Sequence, residues 1–166
     1  MKNNSNSNSI LLLCQAALIA ALYIVLTFLA NAMGLANYAV QVRFSEALTI
    51  LPFFTPAAIP GLFAGCLIGN ILGGAILPDI IFGSLATLIG AFFTYQLRNK
   101  NVFLAPLPPI VANTVIVPFI LRYGYGVLLP IPFMMLTVGV GEILSCGVLG
   151  LVLYFALRKY RNIVFA

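Results

Sequence analysis

The chain contains no histidine and no tryptophan, and only three acidic residues among its 166: Glu46, Asp79 and Glu142. Without histidine there is no imidazole base, no His-ligated metal and no imidazole proton relay. The G-x-x-x-x-G-K-[ST], G-x-S-x-G and H-E-x-x-H patterns are all missing from the sequence, so ATP hydrolysis, acyl transfer and metalloprotease chemistry by those routes are set aside. Three cysteines, Cys14, Cys66 and Cys146, lie far apart inside apolar runs. That spacing makes no zinc site and suits packing. The chain is read as a non-enzyme that carries neither metal nor cofactor. It also lacks long polar stretches, leaving no room for a soluble domain.

What remains is apolar. Hydrophobic residues make up 63% of the chain and charged residues 7%, with a mean hydropathy of +1.14. A soluble domain of this size could not cover its surface with so little polar material. The composition defines an all-α integral membrane protein embedded in the lipid bilayer. A bilayer core of about 30 Å takes roughly 20 residues per helix, which gives space for six helices, expected near 10–33, 44–55, 57–77, 79–97, 105–121 and 128–157. From Ser45 to Leu77 the run is too long for one crossing, and Pro56 and Pro60 divide it. The organisation expected is a polar cytoplasmic segment over residues 1–9, one six-helix membrane domain over 10–161, and a tail over 162–166. The stretch from Ile10 to Met33 is too long for a signal-peptide core and is read as a retained helix.

The net charge of +5 does not point to nucleic acid, because six of the eight cations fall in three groups: Lys2, Arg98 with Lys100, and Arg158, Lys159 and Arg161. They read as anchors on the cytoplasmic face, with both termini inside. A five-helix layout gives the same charge ratio, so the proline break and helix length favour six. Arg43 and Arg122 then lie outside, near the aromatics Tyr38, Phe44, Tyr123 and Tyr125. Such tyrosines suit a membrane-interface belt.

Charge and amide inside an apolar bundle are expensive and mark function. Glu142 sits near the middle of the last helix and is expected to face the interior. Glu46 and Asp79 open helices, where a carboxylate also serves as a cap. Arg43 and Glu46, three apart, stand at the outer rim. Asn70 and Asn113 lie within spans. These groups gather in the outer half of the bundle, which suggests a cavity open to the outside rather than a channel strung through its thickness. Gly61, Gly65, Gly69 and Gly73 form a small-residue ridge suited to close helix packing. Ala16, Ala17, Ala20 and Ala21 form a second small patch, on the first helix.

The run from Gln41 to Asn70, containing IPGLFAGCLIGN, and the run PDIIFGSLATLIGAFFTYQLR at 78–98 resemble the QueT family, substrate-binding S components of energy-coupling factor transporters. The likeness extends from about Ile10 to Arg161. It includes the Arg43-x-x-Glu46 pair, Leu51-Pro52, Pro60-Gly61-Leu62 and the stretch from Asp79 to Thr87. The resemblance implies the S-component six-helix bundle in a bacterial cell membrane. It also implies a transmembrane coupling subunit and two ABC-type ATPases as partners. The implied ligand is a 7-deazaguanine queuosine precursor such as pre-queuosine or queuine, and the alanine patch is the implied docking surface. A guanine-like edge offers N–H donors that a carboxylate accepts in pairs. On that chemistry Glu142 is expected to read the base, with Asn70 and Asn113 completing the hydrogen bonds. Arg43, Glu46 and Asp79 are expected at the ligand or its loop, and Phe44 or Tyr38 stacks on the base. The rival readings are an S component for another vitamin-like nutrient, a stand-alone secondary transporter or channel, and a structural membrane protein without ligand.

Overall fold

A computed structural model of the chain describes residues 3–35 and 42–161, and within them every regular element is helical. We number the helices α1 (Asn3–Ala32), α2 (Phe44–Phe53), α3 (Ala58–Leu72), α4 (Asp79–Gln96), α5 (Val102–Gly124) and α6 (Ile131–Arg158). Six helices were expected and six are found among the described residues. Four of them (Asn8–Ala32 within α1, and α4, α5 and α6) are long and apolar enough to cross a membrane, while α2 and α3 are shorter.

Boundary differences have local causes. α1 starts at Asn3, so the polar segment expected over 1–9 is helical from there on. It contains neither glycine nor proline, and a helix already nucleated by its apolar body propagates through it. α3 stops at Leu72, short of the expected 77, because Gly73 and Gly74 follow and Gly74 takes the left-handed φ of 72°. That conformation suits glycine and closes a helix.

α2 is the unusual element. It is a ten-residue 3-10 helix, and Ser45 to Phe53 are all buried. Runs this long are uncommon because the hydrogen bonds are poorer. A rise of ~2.0 Å per residue stretches ten residues to about 20 Å, against about 15 Å for an α-helix. Pro52 inside it donates no N–H. A helix apolar on nearly all sides belongs at a core, and α2 is the axis of this one. Leu48 and Leu51 pack with Ile19 and Tyr23 of α1, Ala58, Leu62 and Cys66 of α3, and Ala91 of α4. Nearer its C-terminal end, Ile50 and Phe53 pack with Ala105, Val102, Leu153 and Tyr154.

The glycine ridge of α3 lies against α1, as the small-residue spacing suggests. A methyl on Gly61 would come within 2.7 Å of the Ala16 carbonyl oxygen, and one on Gly65 within 2.8 Å of Tyr23 Cβ and 3.0 Å of the Ala20 backbone. Ala16 and Ala20 therefore serve packing within the bundle, while Ala17 and Ala21 are exposed. Below, Thr55 in the α2–α3 turn donates to Gln15 Oε1 at 2.9 Å. On the far side, Gly90 of α4 admits the Pro109 backbone of α5.

Three helices widen into π-turns, at Asp79–Gly83, Ile120–Gly124 and Ile143–Leu149. The second follows Pro118, which removes a ladder donor. In α4 the Ser84 and Thr87 hydroxyls bond back to the Ile80 and Gly83 carbonyls at 2.6 and 3.2 Å. Such bonds occupy carbonyls that the widened ladder serves poorly. Single π-turns of this kind recur at functional sites, and each of these three opens toward the polar end of the bundle or its acidic floor.

Candidate functional site

Two polar layers lie one beneath the other. The upper layer is a chamber of about 550 Å³ whose walls include Thr27 and Asn31 of α1, Arg43, Asn70 of α3, Asp79 of α4 and Tyr125 after α5. A drug-sized ligand fits a pocket of about 300–1,000 Å³. The chamber sits at the bundle end where α1, α3 and α5 finish and α2, α4 and α6 begin. The two basic groups Arg98–Lys100 and Arg158–Arg161 follow the C-terminal ends of α4 and α6, at the opposite end.

Asp79 organises the chamber wall. Its carboxylate accepts from the Tyr125 hydroxyl at 2.9 Å, and its backbone carbonyl accepts from Asn70 Nδ2 at 3.3 Å. Gly83, one turn on, makes this possible: a methyl there would fall 2.9 Å from Asp79 Oδ1 and 3.4 Å from Asn70 Nδ2. Burial first, and then the Asp79 carboxylate, raise the Tyr125 phenol above its ordinary value, so Tyr125 remains the donor. Tyr125 is thus bonded into the site rather than a belt residue, while Tyr123 stays exposed.

The lower layer is acidic and closed. Glu46, expected at the outer rim or as a cap, is instead 2% exposed on the buried axis helix. Its Oε1 accepts a short hydrogen bond from Tyr23 of α1 and its Oε2 accepts from Asn113 of α5 at 3.4 Å. Glu142 of α6 faces the interior, as its position in the span suggested, and accepts from the Cys146 thiol at 3.1 Å. Thr49 in turn donates to that sulfur at 3.4 Å. The Glu46 and Glu142 carboxylates and Cys146 Sγ lie within 4.8 Å of one another. Two unit charges at that separation repel by about 3 kcal/mol at an effective dielectric of about 20.

Arg43 joins the layers. Its side chain lines the chamber, and its backbone amide donates to Ser145 Oγ at 3.2 Å, one residue before Cys146. Burial opposes the charge on its guanidinium, and the nearby Asp79 and Glu46 carboxylates favour it. The expected site residues are therefore divided. Arg43, Asn70 and Asp79 meet in the chamber, and Glu46, Glu142 and Asn113 meet beneath it. Phe44 is half-buried beside Arg43 and is not among the chamber-lining residues. Tyr38 lies outside the described residues. Sequence reasoning did not assign Tyr23, Thr27, Asn31 or Tyr125 to the site. The buried thiols are also more than packing, since Cys66 accepts from Thr87 and Asn70, and Cys146 bridges Thr49 and Glu142; Cys14 is exposed.

A helical bundle with four helices able to cross a bilayer and a polar chamber sunk into one end is the arrangement of a membrane protein that handles a small molecule. Residues 13–159 match the QueT transporter family, and the chain belongs to that family. A curated relative from Lactococcus lactis subsp. cremoris (strain MG1363), named as a queuosine precursor transporter, is 36% identical over 73 residues, 44% of this chain. The match spans 43% of that relative's length. No solved structure matches the chain.

Proposed function

We propose that this chain is the substrate-capturing subunit of an energy-coupling factor importer for a queuosine precursor, a 7-deazaguanine such as pre-queuosine or queuine. The observation that carries the reading is the polar chamber, in a chain of a transporter family whose matched relative is named for that precursor. The ligand base lies in the chamber, and Asp79 takes the role the sequence suggested for Glu142. It is the carboxylate in the chamber wall, suited to the paired N–H donors of a guanine-like edge. Arg43 and Asn70 serve the base carbonyl, and Tyr125 supplies an aromatic face. Glu142, Glu46 and Asn113 form the floor.

The chamber end faces outside the cell, and the basic end and both termini face the cytoplasm, as the distribution of cations supports. The chain crosses the membrane several times. Its partners are a membrane coupling subunit and two ABC-type ATPases. Ala17 and Ala21, the exposed half of the alanine patch, present the docking face on α1. The test is mass spectrometry of small molecules that copurify with the protein. A 7-deazaguanine is the expected species, and a vitamin in its place overturns the substrate.

A further inference from the structure

The basic end of the bundle carries charge that no acidic side chain of the protein answers. Arg98 and Lys100 lie in the turn between α4 and α5, and Arg158, Lys159 and Arg161 stand at the end of α6; all five are exposed. The three acidic side chains, Glu46, Asp79 and Glu142, are committed to the chamber wall or the layer beneath it. Packing brings the two basic groups together. Val102, two residues after Lys100, shares an apolar cluster with Leu153 and Tyr154 of α6. The rings of Phe103 and Phe155 meet with centroids 6.5 Å apart, and both are exposed. Val152, also exposed, precedes Phe155 by three residues and Lys159 follows it by four, so one face of α6 runs from apolar to cationic. Arg98 is held in place: its guanidinium stacks 3.9 Å over the Tyr95 ring and donates to the Tyr95 carbonyl at 3.1 Å. A guanidinium has five N–H donors, so most of the fork remains for an anion.

Orientation of a chain in a membrane requires only that cations lie on one side. It does not require two groups from distant parts of the sequence to meet above one exposed pair of rings. We infer that this meeting point is a binding site for an anionic phospholipid. The phosphate sits between the Arg98–Lys100 turn and the end of α6, and the acyl chains run along Phe103, Phe155 and Val152. Basic clusters between helices at the membrane surface hold anionic head groups in this way. The order of cation, ring and aliphatic side chain toward the bilayer centre matches the order of phosphate, glycerol and chain in a lipid. An acidic protein surface would meet the charge and leave the apolar ledge bare. A zwitterionic lipid brings its own ammonium, which cancels the attraction.

The test is native mass spectrometry of the purified full chain in detergent, titrated with phosphatidylglycerol or phosphatidylcholine of identical acyl chains. Phosphatidylglycerol is expected to bind roughly 30-fold tighter, the scale of two close cation–phosphate contacts, one from each basic group. The ratio is expected to fall to about fivefold when either group is neutralised, by Arg98→Gln with Lys100→Gln or by Arg158→Gln with Lys159→Gln. Arg122→Gln, at the chamber end, is expected to leave it unchanged. A ratio of two affinities measured on one preparation does not depend on the fraction folded, so partial misfolding of a variant does not mimic the result. Equal affinities in the wild type overturn the inference. A ratio that survives in both double variants overturns the place given to the phosphate, and if those variants also fail to hold the coupling subunit, the basic end faces a protein instead. Glycerol phosphate in large excess is expected not to displace the lipid. Displacement at concentrations comparable to the lipid assigns the site to a free phosphate and overturns the lipid.

Discussion

Tyr23 shows how a single hydroxyl can tie a site to its scaffold. It is 2% exposed, and its only polar atom outside the backbone donates to Glu46, whose other carboxylate oxygen accepts from Asn113. Removing such a donor leaves a buried acceptor unsatisfied and costs about 1–3 kcal/mol. Tyr23→Phe is therefore expected to lower the melting temperature of the ligand-free protein in detergent, measured by intrinsic fluorescence. Glu46→Gln in the Tyr23→Phe background is expected to cost much less than in the wild type, because the two residues share one interaction. Additive losses would show that the bond carries no stability. The sequence held a signal for Tyr23: Gln15, Tyr23, Thr27 and Asn31 are separated by multiples of four in an otherwise apolar helix, which puts them on one face. Gln15 bonds the α2–α3 turn, Tyr23 bonds Glu46, and Thr27 and Asn31 line the chamber. Attention to charge alone passes over this stripe. Glu142 was legible because a lone carboxylate in mid-span has few places to go. Glu46 was misplaced because the hydrophobic pattern places a helix near the start of the run without saying whether it runs along the surface or down the axis.

At the scale of elements, the order and number of helices were readable from run length, prolines and glycines. The winding of α2 was not, since no periodicity in ten residues separates a buried 3-10 helix from a buried α-helix. The three π-turns were equally silent, being responses to packing and to lost ladder bonds. The α1–α3 seam was readable as a ridge, but the ridge is not uniform. A methyl on Gly61 or Gly65 would fall 2.7 or 3.0 Å from the α1 backbone, inside van der Waals contact, whereas the nearest neighbour of a methyl on Gly69 stands at 3.8 Å. Gly61→Ala and Gly65→Ala are expected to destabilise by about 1–3 kcal/mol through overpacking against a backbone that cannot yield. Gly69→Ala is expected to be neutral or to stabilise by up to about 1 kcal/mol, because alanine loses less freedom in a helix. Thermal denaturation of the three variants side by side checks this. Equal effects at all three positions would mean the seam is softer than the distances indicate.

The whole molecule is asymmetric along its axis, and that asymmetry bears on how cargo crosses. Polar groups fill the chamber and end at the Glu46–Glu142 floor; below, the axis is closed by Leu48, Ile50, Leu51 and Phe53, with Tyr154 packed edge-on at 5.3 Å from Phe53. In the lower half the Gln15 bond to Thr55 in the α2–α3 turn and the Thr94 bond to the Ala105 carbonyl stand apart, and among the described residues they form no continuous polar lane. A base with several hydrogen-bonding groups does not pass an apolar plug of that kind unaided, since each group left unpaired costs several kcal/mol in a dry interior. Transport by rocking around a central site would need a matching exit below it, and the packed end of α2 occupies that space. On the proposed reading the work is supplied by partner subunits outside the chain. Vesicles containing this chain alone are expected to bind radiolabelled precursor saturably and to accumulate none, under either a proton or a sodium gradient. Vesicles that also contain the coupling subunit and its ATPases are expected to accumulate it when ATP is enclosed with the ATPases. Accumulation by the chain alone would place the driving force within these six helices and make the acidic floor part of an ion path.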